Sequence, residues 1–290
     1  MYTLLKIVSK IFDFIPRKLA LLLGRMLGLF FYYIIPLRKA VAIKNISIAF
    51  PKLNNKQRKK ILYCSYQHFG MVLIDFLRLN KYKRKKNINL VKIPPDSIKL
   101  FKNHQGGILL SAHLGNWEYL GPSLGLNNIK CVGVAQIQHN SGANTFFNEL
   151  RESNNTKIIS VNAGSKMMIE SMINGAYLGL INDQNAGKKG TSASFFGEQV
   201  SVPKGTGYFH VKTNFPILLG FCILLPDFSY DLSFKLLDFK DLPKDTNEAV
   251  TIINQKYTMI LEEKIKEYPS QYFWFHRKWP KKIYKKLSNS

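Results

Sequence analysis

At 290 residues the chain can bury a sizeable core, and one large domain with an N-terminal appendage is the default. A formal charge of +24 implies an anionic partner: nucleic acid, an anionic lipid surface or an acidic protein. The three cysteines, Cys64, Cys131 and Cys222, show neither metal-ligand spacing nor a disulfide framework, which excludes a disulfide-stapled fold and points to reduced, buried thiols in a cytosolic compartment.

Leu19 to Ile35 is an apolar stretch of about seventeen residues, at the short end for a membrane span and interrupted by Arg25. Lys6, Lys10, Arg17 and Lys18 precede it and Arg38, Lys39 and Lys44 follow, so the charge asymmetry that orients a spanning helix is slight. No small-residue cleavage site follows, which argues against a cleaved signal. Residues 1–40 are expected to form a membrane-associated anchor, amphipathic or shallowly inserted on an anionic leaflet, with a single tilted span as the alternative. Residues 41–290 form the remaining domain.

Gln57 to Leu79 carries Ile61, Leu62, Tyr66, Phe69, Val72, Leu73 and Phe76 at helical period. The run Lys81-Tyr82-Lys83-Arg84-Lys85-Lys86 reads as a solvated loop or as a lipid-headgroup contact beside the anchor. From Gly107 the pattern changes. Ile129 to Ala135, Lys157 to Val161, Ala176 to Ile181 and Pro216 to Leu225 read as buried strands, with helices over Ser165 to Ile173 and Lys204 to Lys212. Tyr230 to Phe239 alternates as an edge strand does, and Asn247 to Glu267 is a long helix ending at Pro269. This alternation predicts an α/β fold with a mainly parallel central sheet flanked by helices.

Gly107-Ile108-Leu109-Leu110 reads as a further buried strand, and Ser111-Ala112-His113-Leu114-Gly115-Asn116-Trp117-Glu118 follows it directly. In a regular helix a spacing of five sets side chains roughly 140° apart, so His113 and Glu118 meet only if the chain bends between them. Gly115 and Asn116 supply such a bend. A carboxylate that holds one imidazole nitrogen frees the other to act as general base on a hydroxyl. The competing reading is a satisfied histidine near a helix start.

Asp183-Gln184-Asn185 follows the strand ending at Ile181, where open α/β sheets place their ligands. Gly187-Lys188-Lys189-Gly190 comes next, either a phosphate contact or a solvated turn. Phe195 and Phe196 suit an acyl-chain wall or the core. The cluster Gln271-Tyr272-Phe273-Trp274-Phe275-His276-Arg277-Lys278-Trp279-Pro280 fits an interfacial belt, an RNA-stacking platform or packing with snorkelling tails. Gly121-Pro122-Ser123-Leu124-Gly125 matches the nucleophile-elbow pattern of serine esterases but lacks a strand before the serine. A non-enzymatic basic protein that binds membrane or nucleic acid is the other class to set against an enzyme.

The string His113-Leu114-Gly115-Asn116-Trp117-Glu118 resembles the H-x4-D/E motif of membrane glycerolipid and lipid A acyltransferases, in the version of the bacterial lipid A biosynthesis (lauroyl/myristoyl) acyltransferase family. Asn45-Ile46-Ser47-Ile48-Ala49-Phe50-Pro51 resembles that family's N-terminal signature. Asp183-Gln184 with Phe195-Phe196-Gly197 resembles its middle block, and Gln271 to Trp279 its C-terminal signature. The chain departs from the family at Asn185, often acidic there, and at Lys278, often Arg.

The resemblance implies a glycerolipid acyltransferase-like fold and transfer of a fatty acyl chain from acyl carrier protein to a hydroxyl of a lipid A precursor. Another membrane lipid is the alternative acceptor. His113 and Glu118 would be catalytic, with Glu118 holding the imidazole. Asn116, Arg151, Asp183 and Gln184 would bind substrate, and backbone N–H groups near Gly115 and Asn116 would stabilise the oxyanion. No cofactor, metal or nucleic acid is implied. The place of action would be the cytoplasmic face of the bacterial inner membrane, against an anionic surface.

Overall fold

The computed structural model describes residues 1–85 and 88–287. Two N-terminal helices, α1 (Tyr2–Phe14) and α2 (Arg17–Tyr33), are followed by α3 (Lys39–Ala49) and the long α4 (Asn55–Leu77). Asn54 and Gln57 form a reciprocal capping box, which starts α4 ahead of its first apolar residues. A short α5 (Leu79–Lys85) leads to β1 (Val91–Lys92) and α6 (Pro95–Lys102).

The alternating part runs β2 (Gly107–Ser111), α7 (Leu120–Leu126), β3 (Cys131–Ala135), α8 (Ser141–Arg151), β4 (Thr156–Ser160), α9 (Ser165–Ile173) and β5 (Tyr177–Ile181). A hairpin of β6 (Thr191–Phe195) and β7 (Glu198–Val202) interrupts it before α10 (Gly205–Thr213), β8 (Ile217–Leu224), β9 (Tyr230–Leu237) and α11 (Thr246–Glu267). Seven strands form one sheet in the order β1-β9-β8-β2-β5-β3-β4, parallel except where β8 meets β9. The predicted α/β architecture with a mainly parallel sheet is therefore present.

Residues of β2 alternate between two cores, Ile108 and Leu110 in one and Leu109 in the other, so helices cover both faces of the sheet. One core is roofed by α10, α11 and the C-terminal segment, the other by α1, α6, α7 and α8. Cys131 and Cys222 are buried, and Cys64 is half-buried; all three are free thiols.

Two expectations change. The edge strand at Tyr230 is interior by order, because β1 pairs beyond it. That pairing covers only Tyr230 and Asp231, so the rest of β9 keeps the alternating burial that suggested an edge. The basic run after Leu79 is helical as far as Lys85, and Lys81, Lys83 and Arg84 are engaged with the body of the protein. Arg84 pairs with Asp13 of α1, and Lys83 donates to the carbonyls of Glu149 and Glu152 on and after α8. Lys86 lies outside the described residues.

The N-terminal segment is packed into the body. Gly28 and Gly70 let α2 and α4 cross backbone to backbone: a Cβ on Gly28 would stand 2.1 Å from the Tyr66 carbonyl oxygen, and one on Gly70 2.0 Å from that of Gly24. Ser9 donates to the Leu77 carbonyl, and Arg17 forks onto the buried Asp75 carboxylate. Among the described residues no helix is long and apolar enough to cross a membrane. The outer sides of α1 and α2 do expose a stripe of large apolar residues, including Leu4, Ile7, Ile11 and Phe14, then Leu22, Met26 and Phe30.

Candidate active site

Strand register builds the site. Parallel neighbours β2 and β5 pair Ser111 with Ile181, so the residues two places on, His113 and Asp183, leave the sheet side by side at its carboxyl edge. His113 Nδ1 and Asp183 Oδ1 are 2.7 Å apart, with the His113 side chain 17% exposed and that of Asp183 fully buried. Burial alone would raise the Asp183 carboxyl. The hydrogen-bonded His113, with His276 and Lys278 nearby, instead holds it well below the usual carboxylate range. His113 Nε2 faces the exposed Gln184, whose Nε2 is 3.5 Å away. Trp117 and Phe273 wall the imidazole, at centroid distances of 4.7 and 6.0 Å.

The loop that carries His113 is held from three sides. Gly115 has φ +67°, and a Cβ there would stand 1.9 Å from the Cys222 carbonyl oxygen, so only glycine fits. His68 Nε2, buried on α4, lies 3.2 Å from the Gly115 carbonyl oxygen. The C-terminal segment bridges to the loop: Gly115 N–H donates to Gln271 O, and Phe273 N–H donates to His113 O. That segment is clamped in turn by Asn45, whose amide donates to the carbonyls of Trp274 and His276. The N-terminal and C-terminal signatures thus meet behind the histidine.

The expected partner of His113 is corrected. A 3₁₀ turn over Trp117–Tyr119 carries Glu118 away from the imidazole. Arg151 forks onto both Glu118 oxygens at 2.7 Å, and Trp117 Nε1 donates to one of them at 3.1 Å. Glu118 therefore fixes Trp117 and Arg151, and the carboxylate on His113 is that of Asp183. Asn116 is also reassigned: its side chain is fully buried and donates to the Tyr230 hydroxyl, which donates on to Asp75. The backbone N–H groups of Gly115 and Asn116 are spent on the carbonyls of Gln271 and Cys222, so they are not free for an oxyanion.

Other candidates fall to the core. Ser123 is 1% exposed within α7 and is hydrogen-bonded to the Tyr82 hydroxyl, not perched on a strand-to-helix elbow. Phe195, Tyr272, Trp274 and Trp279 are buried, so the C-terminal cluster is packing and not a stacking platform. Lys188 and Lys189 sit exposed on a 3₁₀ turn. Among the described residues no group of three or more His, Cys, Asp or Glu is placed to hold a metal ion. Sequence reasoning missed His68, His276 and the role of Asp183; the one available signal was the position of Asp183 just past a strand.

Burial lowers both His68 and His276 to about 4. Their folded values lie below the unfolded one, so the unfolded chain binds more protons as pH falls from about 6.5 to about 4. Stability should be full above that window and drop through it, by on the order of 3 kcal/mol per histidine across the whole range. Urea denaturation at pH 7.5 and pH 5 checks this, and equal stability at the two pH values would refute it.

A partly exposed histidine, oriented by a buried carboxylate at the carboxyl edge of a parallel sheet, has the geometry with which a general base activates a hydroxyl. The chain belongs to the bacterial lipid A biosynthesis acyltransferase family, whose model matches residues 2–281. It is thus an acyltransferase. Among solved structures it is similar to the 1-acyl-sn-glycerophosphate acyltransferase PlsC from Thermotoga maritima. The two share 16% identity over 89% of this chain and 99% of that one, with a TM-score of 0.38. Comparison with curated proteins finds no match.

Proposed function

We propose that the protein transfers a fatty acyl chain from the thioester of acyl carrier protein to a hydroxyl of a lipid A precursor. The observation that carries this reading is the 2.7 Å contact between His113 and Asp183 in a chain of this family. His113 Nε2 takes the proton of the acceptor hydroxyl, and the Asp183 carboxylate holds Nδ1–H and so fixes the tautomer and orientation of the ring. The alkoxide attacks the thioester carbonyl, giving a tetrahedral oxyanion. Gln184, whose side-chain amide nitrogen lies 3.5 Å from His113 Nε2, suits that oxyanion. Collapse expels the carrier thiolate, which recovers the proton from His113. The attacking oxygen belongs to the acceptor, so no serine or cysteine nucleophile is needed.

The excess of positive charge, +24, suits both the acidic surface of a carrier protein and an anionic leaflet. The exposed apolar stripe of α1 and α2, with Lys10, Lys18 and Arg25 on the same helices, suits in-plane docking on the cytoplasmic face of the inner membrane. The test uses purified protein, acyl carrier protein or coenzyme A thioesters, and lipid A precursor or lysophosphatidate in anionic vesicles. Product mass should rise by one acyl chain for carrier-protein donor and lipid A precursor. Acylation of lysophosphatidate alone would make the acceptor a glycerophospholipid, and preference for the coenzyme A donor would remove the carrier protein.

A further inference from the structure

The corner between α1 and α2 carries chemistry that acyl transfer does not use. Pro16 holds Ile15 in extended backbone, so α1 stops at Phe14 and the chain turns into α2. Carbonyls left open at the end of α1 accept from the basic run beyond α4. Arg78 donates to the carbonyls of Phe12 and Ile15, and Lys81 donates to that of Asp13.

Between α1 and α5 lies an open cavity of about 480 Å³, lined by Lys10, Asp13, Phe14, Lys81 and Arg84. Small-molecule sites span about 300–1,000 Å³, so its size is that of a ligand seat. Three cations face one carboxylate, and that carboxylate is already held by Arg84 at 2.6 Å. The excess charge therefore attracts an anion. Lys10 is exposed and has no hydrogen bond or ion pair among the described residues. Arg84, with its side chain 69% exposed, spends one nitrogen on Asp13.

Phe14 narrows the kind of anion. At 88% exposure it is the most exposed large apolar side chain among the described residues, and it stands at the rim of the cavity. It ends the line Ile7, Ile11 and Phe14, exposed at helical spacing along α1. A free phosphate or a nucleic-acid backbone pairs with the cations and gains nothing from a phenyl ring beside them. An amphiphile gains from both, with its charge in the cavity and its chains along the apolar line.

We propose that this cavity seats the headgroup of one anionic glycerophospholipid of the leaflet, with its phosphate between Lys10 and Arg84 and its acyl chains along Phe14, Ile11 and Ile7. The proposal rests on the reading of the α1–α2 stripe as the membrane-docking face. It adds to the diffuse attraction of a basic protein for an anionic surface a single stoichiometric site.

Isothermal titration of the full-length protein with dihexanoylphosphatidylglycerol, kept below its micelle concentration, should saturate at one lipid per chain. Lys10→Gln and Phe14→Ser should each weaken that binding about fivefold, and the double variant by about tenfold or more. Both side chains are exposed, and Lys10→Gln leaves the Asp13–Arg84 pair intact, so loss of fold is not what the titration reads. Lys102→Gln/Lys130→Gln removes two exposed charges elsewhere and should stay within about twofold of the parent. Glycerol 3-phosphate, which lacks the chains, and dihexanoylphosphatidylcholine, which lacks the net charge, should each bind about tenfold more weakly or worse. Binding that does not saturate, or equal losses in the Lys102/Lys130 variant, would reduce the seat to diffuse electrostatics and overturn it. Glycerol 3-phosphate as tight as the lipid would make the cavity a free-anion site, and undiminished binding in the Lys10/Phe14 double variant would place the lipid elsewhere. Saturable, variant-sensitive binding by a protein that fails to pellet with phosphatidylglycerol vesicles would sink the docking reading and leave the seat standing.

Discussion

His113→Ala is expected to lower the rate of acyl transfer by about a hundredfold or more, with the fold retained. In the proposed mechanism the acceptor hydroxyl must lose its proton to attack the acyl donor, and no other described side chain combines a free basic nitrogen with a hydrogen-bonded carboxylate at this edge of the sheet. The deleted ring leaves a gap walled by Trp117 and Phe273, shaped for a flat aromatic base. Added imidazole should therefore restore part of the activity. Undiminished turnover in the purified variant would remove His113 from the chemistry.

The second large effect concerns residues 1–40. Removing them strips Arg17 from Asp75, whose side chain is fully buried, and uncovers the face of α4 on which α2 crosses. Breaking a buried ion pair on one side costs about 3–5 kcal/mol, comparable to much of a domain's stability. Asp75 also accepts from Tyr230, which holds Asn116 in the loop after His113, so the damage reaches the site. Residues 41–290 alone are expected to show no cooperative unfolding, and Arg17→Met should lower both melting temperature and activity. A well-folded, active 41–290 fragment would show that the N-terminal helices are a dispensable anchor.

The sheet was legible because parallel strands are buried on both faces and read as continuous apolar runs; Ser165 to Ile173 was legible as a helix to the residue. The hairpin β6–β7 was not. Its two-residue turn is Phe196-Gly197, both at positive φ, and a phenylalanine stands where Asn or Asp normally announces such a turn. His113 was legible from its place past a strand, but its partner was not. Choosing Asp183 over Glu118 requires knowing that β2 and β5 are neighbours, and they are separated in sequence by β3 and β4. Spacing of five favoured Glu118, and only the 3₁₀ turn at Trp117 and the fork from Arg151 turn it away. His276 was hidden among aromatic residues whose burial is a tertiary fact.

Steady-state kinetics of Asp183→Asn beside Glu118→Gln decides which carboxylate orients the base. Asp183→Asn keeps the shape but removes the charge on His113 Nδ1, and kcat should fall about a hundredfold or more with KM little changed. Glu118→Gln keeps a hydrogen-bonding side chain against Arg151 and Trp117, and its kcat should fall far less than that of Asp183→Asn, with the larger change in KM or melting temperature. The reverse pattern, a collapse of kcat in Glu118→Gln and near-parental kcat in Asp183→Asn, would contradict the assignment of Asp183 to His113.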